Sequence, residues 1–142
     1  METTPDRRIL IVNNKIGELT RLEAFLENLG RDWDLSFPLV YAINLALEEA
    51  LANIITYGYD DEDQHDIEIA FVRNGDVLTM SVTDDGHKYD PTLNSNPDVT
   101  LPIGERPVGG LGIFLIRKIM DKVDYQWSES KNHLILTKKI ES

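Results

Sequence analysis

The chain has no cysteine, which removes disulfides, thiolate chemistry and cysteine-held metals from consideration. Histidine is scarce too: His65, His87 and His133 stand apart, without the spacing of a metal site. Basic residues number 14 against 25 acids, a formal net charge of −11. That balance disfavours nonspecific binding to nucleic acid or an anionic membrane and suits a basic protein partner. No apolar run approaches about 18 residues, and Met1 to Arg8 is polar, so the reading holds neither a membrane span nor a secretory leader and expects a cytoplasmic protein. Internal repeats and low-complexity tracts are lacking as well.

Proline is sparse except in one place. Of six prolines, Pro91, Pro97, Pro102 and Pro107 fall between Asp90 and Val108, a stretch with little periodicity. A loop of that length is uncommon inside a domain and often serves as a lid. The rest is periodic. Strands are expected at Arg7 to Val12, Asp66 to Arg73, Val77 to Thr83, Val123 to Ser128 and Leu134 to Ile140, and helices at Ile16 to Leu29, Phe37 to Tyr57 and Ile113 to Asp121. The order βααββ, loop, αββ places strands joined by tight turns beside one another. It points to a single α+β domain over residues 1–142, a two-layer α/β sandwich whose mixed, mostly antiparallel sheet is covered on one face by helices. A chain of 142 residues buries about 68–70% of its unfolded surface, enough for a full core.

Three stretches carry chemistry. On the long helix, Glu49, Asn53 and Tyr57 are spaced i, i+4, i+8 and share one stripe. An Asn carbonyl can ligate Mg²⁺ when phosphates and water fill the remaining positions, and a carboxylate one turn away can orient or deprotonate a nucleophile. A solvated helix face would also accommodate these residues. In the strand Leu78, Met80 and Val82 share parity with Asp84, so alternation sends that carboxylate to the apolar face, where it needs a partner. The amino group of adenine is one, and Gly86 leaves room for a base; a turn-capping aspartate fits the same letters. Finally, Gly109, Gly110, Leu111 and Gly112 form a glycine turn running into a helix, where free N–H groups attract phosphate. Lys88, Arg106, Arg117 and Lys118 are the nearby cations, with Arg106 placed in the candidate lid at 90–108. The acidic run Asp60 to Asp66 reads as a solvated loop or a docking patch.

In this order and separation the three stretches resemble the GHKL ATPase superfamily of gyrase, the large heat-shock chaperone, histidine kinases and mismatch-repair ATPases, over roughly Arg7 to Ile140. The resemblance implies a catalytic carboxylate at Glu49 and a magnesium ligand at Asn53 from E-x-x-x-N. It further implies adenine recognition by Asp84 and Gly86 from D-x-G, and a phosphate-side G-x-G at Gly110 and Gly112. Within the superfamily the chain is most similar to the stand-alone bacterial anti-sigma-factor serine kinases, with E-x-x-x-N-x-x-x-x-G-Y met through Gly58 and Tyr59, and D-x-G-x-x-[FY]-D-P met from Asp84 to Pro91. Two positions depart: Tyr57 stands where many members have histidine, and Lys88 stands at the second glycine of D-x-G-x-G.

That resemblance implies ATP and Mg²⁺ as cofactors and phosphoryl transfer to a serine of an anti-anti-sigma-type (STAS) regulator. It also implies sequestration of a sigma factor, and a homodimer. Neither nucleic acid nor membrane is among the expected partners. Two other readings remain open: an ATP-binding protein that captures its partner without transfer, and the catalytic piece of a histidine-kinase-like system.

Overall fold

Alternation and helical periodicity place the apolar side chains of eight elements on one shared core. The computed structural model describes residues 6–93 and 110–140. Strand β1 (Asp6–Asn13) buries Leu10 and Val12. A 3₁₀ turn at Ile16–Glu18 follows, in which Glu18 Oε1 accepts from the Asn13 N–H at 3.1 Å and from Arg21 at 2.9 Å. Helix α1 (Leu19–Asp32) buries Leu22, Leu26 and Leu29. It starts and ends three residues later than its periodicity suggests: the opening is wound as 3₁₀, and Gly30 does not stop the helix. A Cβ at Gly30 would stand 2.8 Å from Val40 Cγ2, so the glycine sits where α1 passes the next helix.

That helix, α2 (Phe37–Tyr57), begins where the sequence reading placed it. Ser36 caps it by accepting from the Leu39 N–H at 3.3 Å, Pro38 occupies the first turn, and both are start signals with a physical cause. Ile43, Ala46, Leu47, Ala50 and Leu51 are buried. By length and composition α2 is also apolar enough to cross a membrane, contrary to the reading of the sequence as free of such a run. Its inner side lies in the core, while Phe37 and Tyr41 at its start are exposed.

β2 (Asp66–Asn74) and β3 (Val77–Asp84) form a hairpin. Gly75 turns it with a φ of 63°, a conformation glycine adopts without penalty. Their inward residues Ile67, Ile69, Phe71, Leu78, Met80 and Val82 are all essentially inaccessible. After α3 (Gly110–Ile119) the chain returns as β4 (Lys122–Ser128), then turns through Glu129 and Ser130, both at positive φ, into β5 (Lys131–Lys139).

The strand order is β1-β2-β3-β5-β4, and every pairing is antiparallel, so the mixed sheet anticipated from sequence is wholly antiparallel among the described residues. β5 is inserted between β3 and β4. Its register sets Asn132 opposite Asp84, and this pairing builds one end of the site.

Phe71 is the largest fully buried side chain, with its ring centroid 5.2 Å from that of Phe25 on α1. Phe71→Ala should lower unfolding free energy by about 3–5 kcal/mol, whereas Thr79→Ala on the opposite sheet face should change it by less than about 0.5 kcal/mol. Urea titrations of both variants test this. Comparable losses would contradict a core confined to one face.

Candidate active site

The last residue of β3 is a carboxylate on the apolar face. Asp84 follows the parity of Leu78, Met80 and Val82 and is only 6% exposed. Burial pushes its pKa above the ordinary carboxylate value; hydrogen bonds from Asn132 and the Gly86 backbone work in the opposite sense. Oδ1 accepts from Asn132 Nδ2 at 3.0 Å and from the Gly86 N–H at 2.9 Å.

Gly86 is required by the protein itself. A Cβ there would lie 2.5 Å from the Gly58 carbonyl oxygen, and the same carbonyl accepts from the His87 N–H at 2.9 Å. The exit of α2 is therefore docked directly on the turn after β3. That contact brings Asn53 and Tyr57 to the same cavity as Asp84 and Lys88. The cavity measures about 460 Å³, within the usual range for a small-molecule site. Ile54, Ile113, Ile116 and Leu134 supply apolar walls suited to a flat ring system, and Asn53, Asp84, Lys88 and Asn132 supply the polar groups.

Glu49 lies one turn before Asn53 on α2, partly exposed, and is not among the residues lining the cavity. Gly110, Leu111 and Gly112 do not precede the helix as a turn: α3 starts at Gly110. They form its first turn, whose N–H groups have no acceptor within the helix, and Ile113 and Ile116 one turn on reach the cavity. Arg106, Gly109 and the candidate lid from residue 94 onward lie outside the described residues. Only its beginning is seen, a 3₁₀ turn at Pro91–Leu93, held by Arg117 Nη2 donating to the Thr92 carbonyl at 2.5 Å. Lys118 stands 5.4 Å over Phe114 and Lys88 5.8 Å over Trp127, cation–π distances. Of these three described cations only Lys88 lines the cavity. A single amide ligand at Asn53 is compatible with magnesium held mainly by phosphate and water, and among the described residues no group of three or more His, Asp or Glu is arranged so that it could hold a metal ion.

Two features escaped the sequence. Asn132 had looked like a turn residue, but β5 begins at Lys131 and puts it against Asp84; finding it needs the β3–β5 register. The acidic loop is also structured. Tyr59 stacks on His65 with centroids 4.0 Å apart and donates from its hydroxyl to Asp85 at 3.0 Å. Burial and this carboxylate acceptor raise the Tyr59 pKa. His65 pairs with Asp61 at 2.8 Å and with Asp85 at 3.4 Å, while its backbone N–H donates to Asn14 Oδ1. His87 lies 3.0 Å from Asp60. Loop and base-side turn are thus laced together at Tyr59, His65 and His87.

Comparison with known proteins bears on the family and the fold. The family described as Histidine kinase-like ATPase domain matches residues 12–138. The chain is 27% identical over 113 residues to a serine/threonine-protein kinase, BtrW, of Bordetella bronchiseptica, covering 80% of each protein. It is 28% identical over 109 residues to a serine-protein kinase, RsbW, of Listeria monocytogenes, covering 74% of this chain and 69% of that one. In fold it is similar to a crystal structure of the RsbU and RsbW domains of a Mycobacterium tuberculosis protein, with a TM-score of 0.66 at 14% identity; the match spans 97% of this chain and 32% of that one.

The loop makes a pH-dependent contribution. Asp61, then Asp85, raise the His65 pKa against a smaller opposing effect of desolvation, and His65 lowers that of Asp61. A raised histidine pKa stabilises the folded state fully below the unfolded value of about 6.5, and the contribution is lost as pH rises through the folded value. The stability difference between the native chain and His65→Gln should therefore shrink from about pH 5.5 to about pH 8.5, as measured by urea midpoints. A difference independent of pH would rule out the ion pair as its source.

Proposed function

From the premise that the chain belongs to the histidine kinase-like ATPase domain family, we propose that it is an ATP-dependent protein serine kinase and anti-sigma regulatory factor. Its substrate is a serine hydroxyl on an anti-anti-sigma-type (STAS) regulator, and a sigma factor is its alternative partner. The observation that carries the reading is a buried carboxylate, Asp84, and an amide, Asn53, facing one apolar-walled cavity from separate elements. Asp84 accepts from the adenine amino group. Ile54, Ile113, Ile116 and Leu134 enclose the ring, and Tyr57 and Lys88 flank the mouth beyond.

The phosphates extend toward the first turn of α3, where the N–H groups of Gly110, Leu111 and Gly112 receive negative charge. Arg106 and Gly109 belong to the same phosphate side in this reading. Asn53 is the side chain that would hold magnesium, which would supply charge neutralisation at the phosphates. Glu49 takes the proton of the serine hydroxyl as its oxygen bonds to the γ-phosphorus. The bond from that phosphorus to the bridging oxygen breaks, and ADP leaves. Such a transfer depends chiefly on positioning and charge stabilisation. The acidic surface, net −11, suits a partner with a basic face.

A second reading, nucleotide-controlled capture without transfer, is favoured by one observation: Glu49 stands outside the residues that line the cavity. A single comparison separates the two. With a cognate STAS regulator and labelled ATP, Glu49→Gln should lower the transfer rate by roughly 10²–10⁴-fold while leaving ATP affinity near the native value, and Asp84→Asn should weaken ATP binding itself. No transfer by the native chain, with partner capture that depends on ATP and is lost in Asp84→Asn, would establish capture in its place. Undiminished transfer by Glu49→Gln would refute the base.

A further inference from the structure

We propose that Asn132 is the positioning residue that makes Asp84 selective for adenine over guanine, by occupying one of its two carboxylate oxygens. The inference rests on the nucleotide reading of the site and assigns its base specificity to a residue outside the family motifs.

Asn132 is 7% exposed and lies opposite Asp84 in the β3–β5 register. A carboxamide offers two hydrogens and two lone pairs, and here the protein uses all four. Nδ2 donates to Asp84 Oδ1 at 3.0 Å and to the His87 carbonyl at 2.7 Å, with the Gly86 carbonyl a longer neighbour at 3.5 Å. Oδ1 accepts from the Tyr89 N–H at 3.0 Å and from the Tyr125 hydroxyl at 2.5 Å. The orientation is forced. A backbone N–H can only donate, so the oxygen must face Tyr89, and the reversed amide would set its oxygen against the Asp84 carboxylate and the His87 carbonyl. With no hydrogen or lone pair left for a ligand, Asn132 acts through Asp84.

Its effect is to remove an acceptor. Asp84 Oδ1 already receives two donors, from Asn132 and the Gly86 backbone, and Oδ2 has no hydrogen-bond partner among the described residues. Guanine presents two adjacent donors, the ring N1–H and the exocyclic amino group, which pair with both oxygens of an unencumbered carboxylate. Adenine presents one amino donor beside a ring nitrogen that accepts. A carboxylate reduced to a single available oxygen meets adenine's one donor and leaves guanine's second unsatisfied, which is costly in a buried site. Tyr125, on β4, holds the amide oxygen through its hydroxyl, so selectivity depends on three adjacent strands. The donor from Asn132 also favours the ionised form of Asp84, in opposition to its burial.

The experiment is titration calorimetry of the full chain with ATP and with GTP at millimolar magnesium. The native chain should prefer ATP. Asn132→Ala should reduce the ratio of ATP to GTP affinity by about tenfold or more, because ATP binding weakens while GTP gains an acceptor. Tyr125→Phe, which keeps the asparagine and removes only the hydroxyl, should shift the ratio in the same direction by a smaller factor; it also serves if Asn132→Ala does not fold. A purely structural role would weaken both nucleotides equally. An unchanged ratio in a folded variant therefore overturns the proposal. Asp84→Asn isolates the underlying reading: if it leaves ATP affinity at the native level, the base site itself is misplaced. If it abolishes ATP binding while the ratio in the other variants stays fixed, only the role of Asn132 falls.

Discussion

A carboxylate buried at the end of a strand constrains everything around it. Asp84 cannot sit on the apolar face of β3 without donors, and the protein meets that need from two sides, through the Gly86 backbone and through Asn132. The second donor dictates topology. By passing first to the edge as β4 and then returning between β3 and β4 as β5, the chain delivers Asn132 into register with Asp84. The core layer and the Asp84–Asn132 pairing are consequences of one strand order. Leu134 and Leu136 on β5 continue the apolar face that Asn132 begins.

The second constraint is a backbone contact. Gly58 and Gly86 approach so closely that neither the fold of α2 nor that of the turn after β3 is independent of the other. Because α2 carries Asn53 and the turn follows Asp84, the placement of these two cavity-lining groups is fixed by packing rather than by a flexible loop. Tyr59 stacked on His65, with Asp85 between them and the turn, adds a polar layer over this junction. The sequence motif that reads as a glycine-tyrosine pair after the acidic helix thus has two separate structural uses: Gly58 supplies the carbonyl that accepts from the His87 N–H, and Tyr59 stacks on His65 and donates to Asp85.

Local periodicity carried most of the architecture. The parity of Leu78, Met80 and Val82 is enough to bury Asp84, and Ser36 with Pro38 is enough to start α2, because each depends on residues a few positions apart. The limits were those of locality. Asn132 lies 48 positions from Asp84, so its role exists only once two strands are registered. Gly110 and Gly112 read as a turn ahead of the helix, yet glycine is tolerated in a first turn where other contacts hold the helix, and α3 packs Ile113 and Ile116 into the core. The acidic run looked like solvated charge since nothing in its own letters reveals that Asn14 and Asp85 come to meet it.

Charge completes the argument. A chain with a net charge of −11 must still admit a polyanion, and the described residues show how the local field differs from the global one. Around the base-side turn, Asp60 and Asp61 are matched by His87 and His65, and Asp85 accepts from Tyr59 and approaches His65. None of these acids is among the residues that line the cavity. Lys88, held over Trp127, is the cation facing it, and the first turn of α3 contributes oriented N–H dipoles without any side-chain charge. Asp84 is then the acidic group lining the cavity. In the proposed binding mode it meets the uncharged base, so the repulsion it exerts on phosphate acts across the length of a nucleoside and is weak there.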